Sequence, residues 1–323
     1  MAFNPAISLT AHNRPDLLVQ ALDSLAAADG ADRWQVYLGV EPTPQTPEIL
    51  ALLPRFSPRL RIQARVNDRK LGVRHNPYET VQWVLAQGHD TVLLLEDDLL
   101  VDTQALRWCE LLAQGALQQP EAMCANLLTT TCMSESIFMP AASEATALAD
   151  VVLKGRFFSS YGLLFTREQW QRHFVPAWFV DNPAMENFHG MPGVGWDLAM
   201  TRTLLLDKRL HVLQSLVPRV THIGTHGTHI DQRFQDASFA NVVLGLDGGT
   251  ALPALRVLDP VADLAQVPSA AARMYINLAR HLWTLQASSL TFKHGAAGLF
   301  GAKPHWRRFG KHEFVWFSRR VAK

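Results

Sequence analysis

Short apolar runs alternate with amphipathic stretches along the first third of the chain. Residues 6–10 and 35–40 are mostly apolar or β-branched, residues 60–66 alternate apolar with polar positions, and each run predicts a strand. Between the first two strands, residues 15–25 carry leucines and alanines at helical spacing, and a second helical pattern covers residues 78–87. Strands that alternate with helices in this way predict a doubly wound, mostly parallel sheet.

The next strand ends in three consecutive carboxylates. Residues 91–95 are apolar or β-branched without alternation, which is typical of a parallel strand covered on both faces, and Glu96, Asp97 and Asp98 follow directly. Open α/β sheets bind ligands at the carboxyl ends of such strands. Adjacent carboxylates repel one another unless a cation lies among them. Because Mg²⁺ and Mn²⁺ combine one or two protein carboxylates with water and substrate phosphates, the cluster predicts a metal–diphosphate site. The alternative is a solvated acidic turn.

Composition narrows the class of protein. The 323 residues are 48% hydrophobic, which allows a sizeable core and argues against disorder. The net charge of +1 gives no general case for nucleic-acid binding, and the sequence has no zinc-finger or aromatic RNA-binding signature. The three cysteines have no metal-site spacing, and their odd number argues against a disulfide framework. A reducing compartment is therefore expected.

The charge is unevenly distributed, with a basic C-terminal segment. From Lys293 to Lys323 there are eight basic residues and one acid, a net +7, and aromatic residues are interleaved with them. The sequence has no signal peptide and no apolar run near the ~18 residues that cross a bilayer. We expect a cytoplasmic protein whose tail contacts an anionic membrane from the inner face. The alternative is that the tail aromatics pack on the rest of the protein and the cations are solvated.

The order of polar motifs resembles that of a GT-A glycosyltransferase. His12-Asn-Arg-Pro follows the first strand, Glu41 ends the second, residues 67–76 follow the third, and the Glu-Asp-Asp cluster ends the fourth. In that family the acidic cluster binds the diphosphate of a nucleotide sugar through Mn²⁺ or Mg²⁺. The resemblance implies the GT-A fold, a Rossmann-like, doubly wound and mostly parallel α/β sheet.

Motifs in the second half resemble the inverting N-acetylglucosaminyltransferase I type. The similar segments, in the same order, are residues 157–170, Gly195-Trp-Asp197 and residues 218–229. The resemblance covers about residues 6–235. It has two departures: Leu198 stands where the family has a second Asp, and Gly162 is followed by Leu-Leu rather than Gly-Trp.

The resemblance implies roles for single residues. Asp98 and His229 are assigned as metal ligands. Asp197 becomes the catalytic base, because an inverting transfer needs a base within hydrogen-bonding reach of the acceptor hydroxyl, and Trp196 could form an apolar platform for a sugar. The alternative for Asp197 is a helix cap. The residues assigned to the nucleotide sugar are Thr10, His12, Arg14, Glu41, Arg74, Asn76, Glu96 and Asp97.

These expectations define three regions and one reaction. Residues 1–135 would bind the nucleotide sugar, residues 136–245 the acceptor and the base, and residues 246–323 would form a helical extension with the basic tail. We expect metal-dependent, inverting transfer of a hexosyl or N-acetylhexosaminyl group from a UDP-type donor to a saccharide or lipid-linked hydroxyl in glycan, glycolipid or polysaccharide synthesis. One alternative is a sugar nucleotidyltransferase, although His12-Asn-Arg-Pro is not the Gly-rich basic loop of that class. Another is a non-catalytic carbohydrate-binding protein of the same fold.

Overall fold

A large mixed sheet organises the protein. The computed structural model describes residues 3–130, 137–180, 182–186, 192–193, 195–227, 232–249, 251–280, 303–309 and 312–318. The strands are β1 (Pro5–Ala11), β2 (Gln35–Val40), β3 (Arg61–Val66), β4 (Thr91–Glu96), β5 (Leu99–Val101), β6 (Ala122–Asn126), β7 (Val151–Gly155), β8 (Leu163–Thr166), β9 (Asn182–Glu186), β10 (Pro192–Gly193), β11 (His211–Ser215), β12 (Val220–His222), β13 (Arg256–Leu258), β14 (Lys303–Phe309) and β15 (His312–Ser318).

Helices connect most of these strands. They are α1 (Pro15–Ala27), α2 (Thr46–Leu52), α3 (Gly72–Ala86), α4 (Ala105–Ala113), α5 (Ala142–Leu148), α6 (Arg167–Gln169, continued by a π-helical turn over Trp170–Phe174), α7 (Trp196–Leu206), α8 (Gln232–Ser238) and α9 (270–280). The helix α1 begins at Pro15, as its fixed φ favours, and buries Leu18, Leu22 and Leu25. The helical periodicity in the sequence therefore identified the face that packs against the sheet.

The nine-stranded sheet has the order β13-β7-β11-β6-β8-β4-β1-β2-β3. The neighbours β4, β1, β2 and β3 are all parallel, as are β6 and β11. The strand β8 runs antiparallel between β4 and β6, and β7 is antiparallel to β11. The prediction of an α/β fold with a mostly parallel sheet is confirmed. Because β1, β2 and β4 are parallel, their carboxyl ends meet at one edge, at Ala11, Val40 and Glu96.

A small two-stranded sheet lies next to that edge. Its strand β5 follows β4 after only two residues, and β12 pairs with it antiparallel, with His222 opposite Leu99. The backbone N–H of Ile223 donates to the carbonyl of Asp98 at 2.9 Å. This pairing brings His222, 123 positions after Leu99 in the sequence, to the end of β4.

The region after residue 245 contributes both to the main sheet and outside it. The strand β13 pairs parallel with β7, so the main sheet extends beyond residue 245, where we predicted a boundary. The division of the chain into three regions stays a prediction. The helix α9 agrees with the expected helical character of the extension. In the basic tail, β14 and β15 form an antiparallel hairpin. Within the described ranges, no helix is both long and apolar enough to cross a membrane.

Candidate active site

Two buried carboxylates form the centre of the site at the end of β4. Asp97 and Asp98 are 2% and 4% exposed, because the turn between β4 and β5 directs them under the β1–α1 connection. The guanidinium of Arg14, on that connection, makes an ion pair with each of them: Nη2 contacts Asp97 Oδ1, and Nη1 lies 2.7 Å from Asp98 Oδ2. The backbone N–H of His12 also donates to Asp97 Oδ2 at 3.2 Å. One arginine thus holds both acids.

Asp98 is also held from the opposite side. His222 Nε2 lies 3.0 Å from Asp98 Oδ2, and His222 Nδ1 lies 2.8 Å from the side-chain oxygen of Gln235. The segment after β12 approaches closely at Gly224, where a Cβ would lie 2.8 Å from Asp98 Oδ2. The other oxygen, Asp98 Oδ1, is buried and has no hydrogen-bond partner among the described residues. A buried carboxylate oxygen without a donor is costly, so this atom is suited to a cation.

The three carboxyls of the cluster have different pKa values. Burial, followed by the charges of Asp98 and Asp97, raises the pKa of Glu96 to about 8. Burial raises the pKa of Asp97 to about 6, although the charge of Arg14 opposes the shift. For Asp98, burial acts against ionisation, but the hydrogen bond and charge of His222, together with Arg14, lower the pKa below its ordinary value. Asp98 is therefore the most readily ionised carboxyl of the cluster.

The donor atoms fit a divalent cation that shares its coordination with a ligand. Asp97 and Asp98 supply carboxylate oxygens, the ligand type that Mg²⁺ and Mn²⁺ prefer, whereas both ring nitrogens of His222 are already engaged, one by Asp98 and one by Gln235. Among the residues that the structure describes, no three Asp, Glu, His or Cys side chains are arranged as a complete metal site. A metal held here would therefore take further ligands from water and from phosphate oxygens, which is the usual mode for Mg²⁺ in nucleotide sites.

The remaining residues predicted on the first two strands lie close to this centre but differ in what they contact. Thr10 is buried in β1, in register with Glu96. Burial, followed by the charge of Lys70, lowers the pKa of His12. The carboxylate of Glu41 accepts from two backbone N–H groups at the start of α3, Leu71 at 2.8 Å and Gly72 at 2.6 Å. Glu41 thus caps a helix in this structure.

Arg74 and Asn76 make contacts within the protein. Arg74 Nε and Nη2 each donate to the carbonyl of Trp178 at 3.2 Å, and the guanidinium lies over the ring of Phe179. Asn76 is 4% exposed and donates to the carbonyl of Gly39, at the end of β2, at 3.3 Å. Both side chains therefore fix α3 to its surroundings, and their predicted nucleotide contacts stay predictions.

The predicted base lies in the first turn of α7. Asp197 is exposed, whereas the N-cap position belongs to Gly195. A Cβ on Gly195 would lie 2.2 Å from Asp197 Oδ1, so the carboxylate folds back over the glycine backbone. Trp196 is 4% exposed and stacks on Trp178, with ring centroids 4.3 Å apart. The expectation that Trp196 forms a sugar platform is wrong, because its ring is part of the core.

Tyr161 lies beside His222, and the charges of Asp197 and of the acidic cluster act on it. Burial, followed by the charges of Glu96, Asp197 and Asp98, raises the pKa of Tyr161. The Tyr161 ring also lies edge-on to His222, with centroids 5.7 Å apart. Tyr161 therefore packs against the histidine that holds Asp98.

Sequence reasoning missed two members of the site. His222 was visible only as one of three histidines after Pro218, and the predicted metal ligand of that group, His229, lies outside the described residues. The pairing of β12 with β5 selects His222, and no local pattern encodes that pairing. Tyr161 was part of a similar segment but had no assigned role; its position just before β8, which enters the sheet beside β4, was the available signal.

Several solved structures are similar to this chain. Residues 1–349 of S. aureus TarS in complex with UDP-GlcNAc align over 70% of this chain and 60% of that one, with 11% identity and a TM-score of 0.44. The mannosyltransferase PcManGT from Pyrobaculum calidifontis, in complex with GDP-Man and Mn²⁺, aligns over 92% and 81%, with 14% identity and a TM-score of 0.39. Residues 1–349 of S. aureus TarS without a named ligand align over 98% and 97%, with 10% identity and a TM-score of 0.44.

These similarities are weak. No protein-family model and no curated protein sequence matches the chain. The chain spans only 60% of the TarS chain in its UDP-GlcNAc complex. At TM-scores below 0.5 the likeness does not determine an activity.

Proposed function

We propose that the protein is a metal-dependent glycosyltransferase that uses a nucleoside-diphosphate sugar, with UDP as the first nucleotide to test. The observation that carries the proposal is the buried pair Asp97 and Asp98 at the carboxyl end of β4, with Asp98 Oδ1 unpartnered. A divalent cation bound there would neutralise charge on a departing diphosphate. The order of motifs that resembles GT-A enzymes supports the same reading.

The residues around the pair would hold the rest of the donor. Arg14 offers a planar set of donors suited to phosphate oxygens, and its side chain is 25% exposed toward the site. The β1–α1 connection with His12 and the segment around Gly224 lie on either side of the carboxylates. The diphosphate would bind between these two segments, with the sugar directed toward Tyr161 and Asp197.

Within this proposal, Asp197 is the base that deprotonates the acceptor hydroxyl and makes the transfer inverting. Its carboxylate is exposed in the first turn of α7, and its charge is among those that raise the pKa of Tyr161. Asp197→Asn keeps the shape and cannot accept the proton, so the transfer rate should fall by roughly 10²–10⁴ while donor affinity is nearly unchanged. An equal loss of donor affinity would instead assign Asp197 a binding or structural role.

The activity can be tested without knowing the acceptor. A thermal-shift screen of nucleotide sugars with and without Mn²⁺ should reveal a donor that raises the melting temperature only with the metal. Slow hydrolysis of that donor, dependent on Mn²⁺, would then distinguish a transferase from a carbohydrate-binding protein. Release of pyrophosphate from a nucleoside triphosphate and a sugar phosphate would contradict the proposal and favour a nucleotidyltransferase.

The proposed acceptor is a saccharide or a lipid-linked saccharide. The net +7 of the C-terminal segment supports contact with an anionic membrane, where each cation contributes about 1 kcal/mol near the headgroups. The full-length protein should sediment with anionic liposomes but not with neutral ones, and a chain that ends at Gly301 should stay in solution. Sedimentation that ignores both lipid charge and truncation would exclude this contact.

A further inference from the structure

The guanidinium of Arg14 lies where a cation would neutralise the carboxylate pair. Its Nη1 and Nη2 contact Asp98 Oδ2 and Asp97 Oδ1, one oxygen from each acid. With His222 also on Asp98 Oδ2 and the His12 N–H on Asp97 Oδ2, Asp98 Oδ1 is the one oxygen of the pair without a described partner. A metal ion at Asp98 Oδ1 would share that carboxylate with the guanidinium on Asp98 Oδ2, so the two cations would depend on the same negative charges.

The side chain of Arg14 can leave while its backbone stays in place. The carbonyl of Arg14 accepts from the N–H of Leu18 at 3.0 Å in the first turn of α1, which fixes the main chain. The side chain is 25% exposed and its third contact, from Nη1 to the carbonyl of His226, is long at 3.4 Å. The guanidinium of Arg14 is therefore partly exposed, while its backbone is fixed by the first turn of α1.

We propose that Arg14 and the divalent metal compete for the Asp97–Asp98 pair, and that a diphosphate resolves the competition by giving Arg14 a new anionic partner. This inference rests on the proposed function. A metal that enters alone would leave a guanidinium beside a divalent cation, which is unfavourable electrostatically. A metal that enters with a diphosphate leaves Arg14 paired with phosphate oxygens. Metal and nucleotide would then strengthen each other's binding by the same factor.

Equilibrium binding of Mn²⁺, followed by loss of the electron paramagnetic resonance signal of free Mn²⁺, tests the competition without any turnover. The wild-type protein should bind Mn²⁺ alone weakly and UDP should enhance that binding. Arg14→Gln should bind Mn²⁺ alone about tenfold more tightly, and its enhancement by UDP should shrink by about the same factor. Arg14→Lys keeps the charge and should resemble the wild-type protein for Mn²⁺ alone.

Arg33→Gln is the matched control. Arg33 makes a two-pronged pair with Glu110 at 2.9 and 2.8 Å, beside the amino end of β2 and thus at the opposite edge of the sheet. The substitution Arg33→Gln removes the same charge as Arg14→Gln and should leave Mn²⁺ binding unchanged. If Arg14→Gln binds Mn²⁺ no better than the wild type, the competition is excluded, while UDP-enhanced binding would keep the proposed function. If neither protein binds Mn²⁺ with or without UDP, both proposals fail.

Discussion

Two arginines in this protein each lie between two aspartates, and they differ in how completely they are enclosed. Arg219 is fully buried and pairs with Asp102 at 3.0 Å and with Asp247 at 2.5 Å. Arg14 pairs with Asp97 and Asp98, just four residues from Asp102 along the chain, and is 25% exposed. The same three charged groups therefore occur in a closed and in an open arrangement.

The difference lies in the other hydrogen bonds of the carboxylates. Asp102 also accepts from the N–H groups of Gln104 at 2.7 Å and Gly245 at 2.9 Å, so both of its oxygens are occupied. Asp98 keeps one buried oxygen without a described partner. A buried carboxylate whose two oxygens are both occupied is structural, whereas a carboxylate with an unpartnered buried oxygen at the end of a parallel strand has capacity left for a ligand.

Removal of the enclosed arginine should have the largest effect on stability. Arg219→Met leaves two buried carboxylates without their cation, so the free energy of unfolding should fall by about 3–5 kcal/mol. Arg14→Met should cost less, about 1–3 kcal/mol, because the guanidinium is partly exposed although Asp97 and Asp98 are buried. Urea denaturation of both variants measures the difference. Equal losses would remove the distinction between the two clusters.

Glu41 is a second carboxylate whose two oxygens are both occupied, and the sequence analysis assigned it to the nucleotide. Because its two oxygens accept from Leu71 and Gly72, Glu41→Ala should lower the free energy of unfolding by about 1–2 kcal/mol. The control Glu48→Ala, at an exposed acid in the first turn of α2, should stay within about 0.5 kcal/mol of the wild type. If Glu41→Ala is as stable as the wild type yet loses UDP affinity, Glu41 contacts the nucleotide directly.

The open cluster should give the metal-free protein a small pH dependence. The pKa of Glu96 is raised to about 8 and that of Asp97 to about 6, so the folded state binds more protons than the unfolded state between about pH 4.5 and 8. Their contribution to stability therefore falls as the pH rises through this window. With a chelator present, the melting temperature of Glu96→Gln should fall less than that of the wild type between pH 5 and pH 8. An equal or larger loss would place the titrating groups elsewhere.

The sequence predicted the first half of the site, because that half depends on the strand pattern and on residues that directly follow the strands. The uninterrupted run of residues 91–95 predicted a strand buried on both faces, and the parallel arrangement then brought His12, Arg14 and the acids to one edge. The second half depends on pairing between distant segments. His222 reaches Asp98 only because β12 pairs with β5, and Trp196 was misjudged because its stacking on Trp178 is a tertiary contact.

The central claim is that the Asp97–Asp98 pair binds a divalent metal together with a nucleoside diphosphate. Isothermal titration of UDP into the wild-type protein and Asp98→Asn, each with and without Mn²⁺, tests it most directly. We predict that the wild type binds UDP only with Mn²⁺ and that Asp98→Asn weakens this binding at least about a hundredfold, since even residues that orient metal ligands contribute 10–100-fold. UDP binding that is independent of Mn²⁺, or unchanged in Asp98→Asn, would contradict the account.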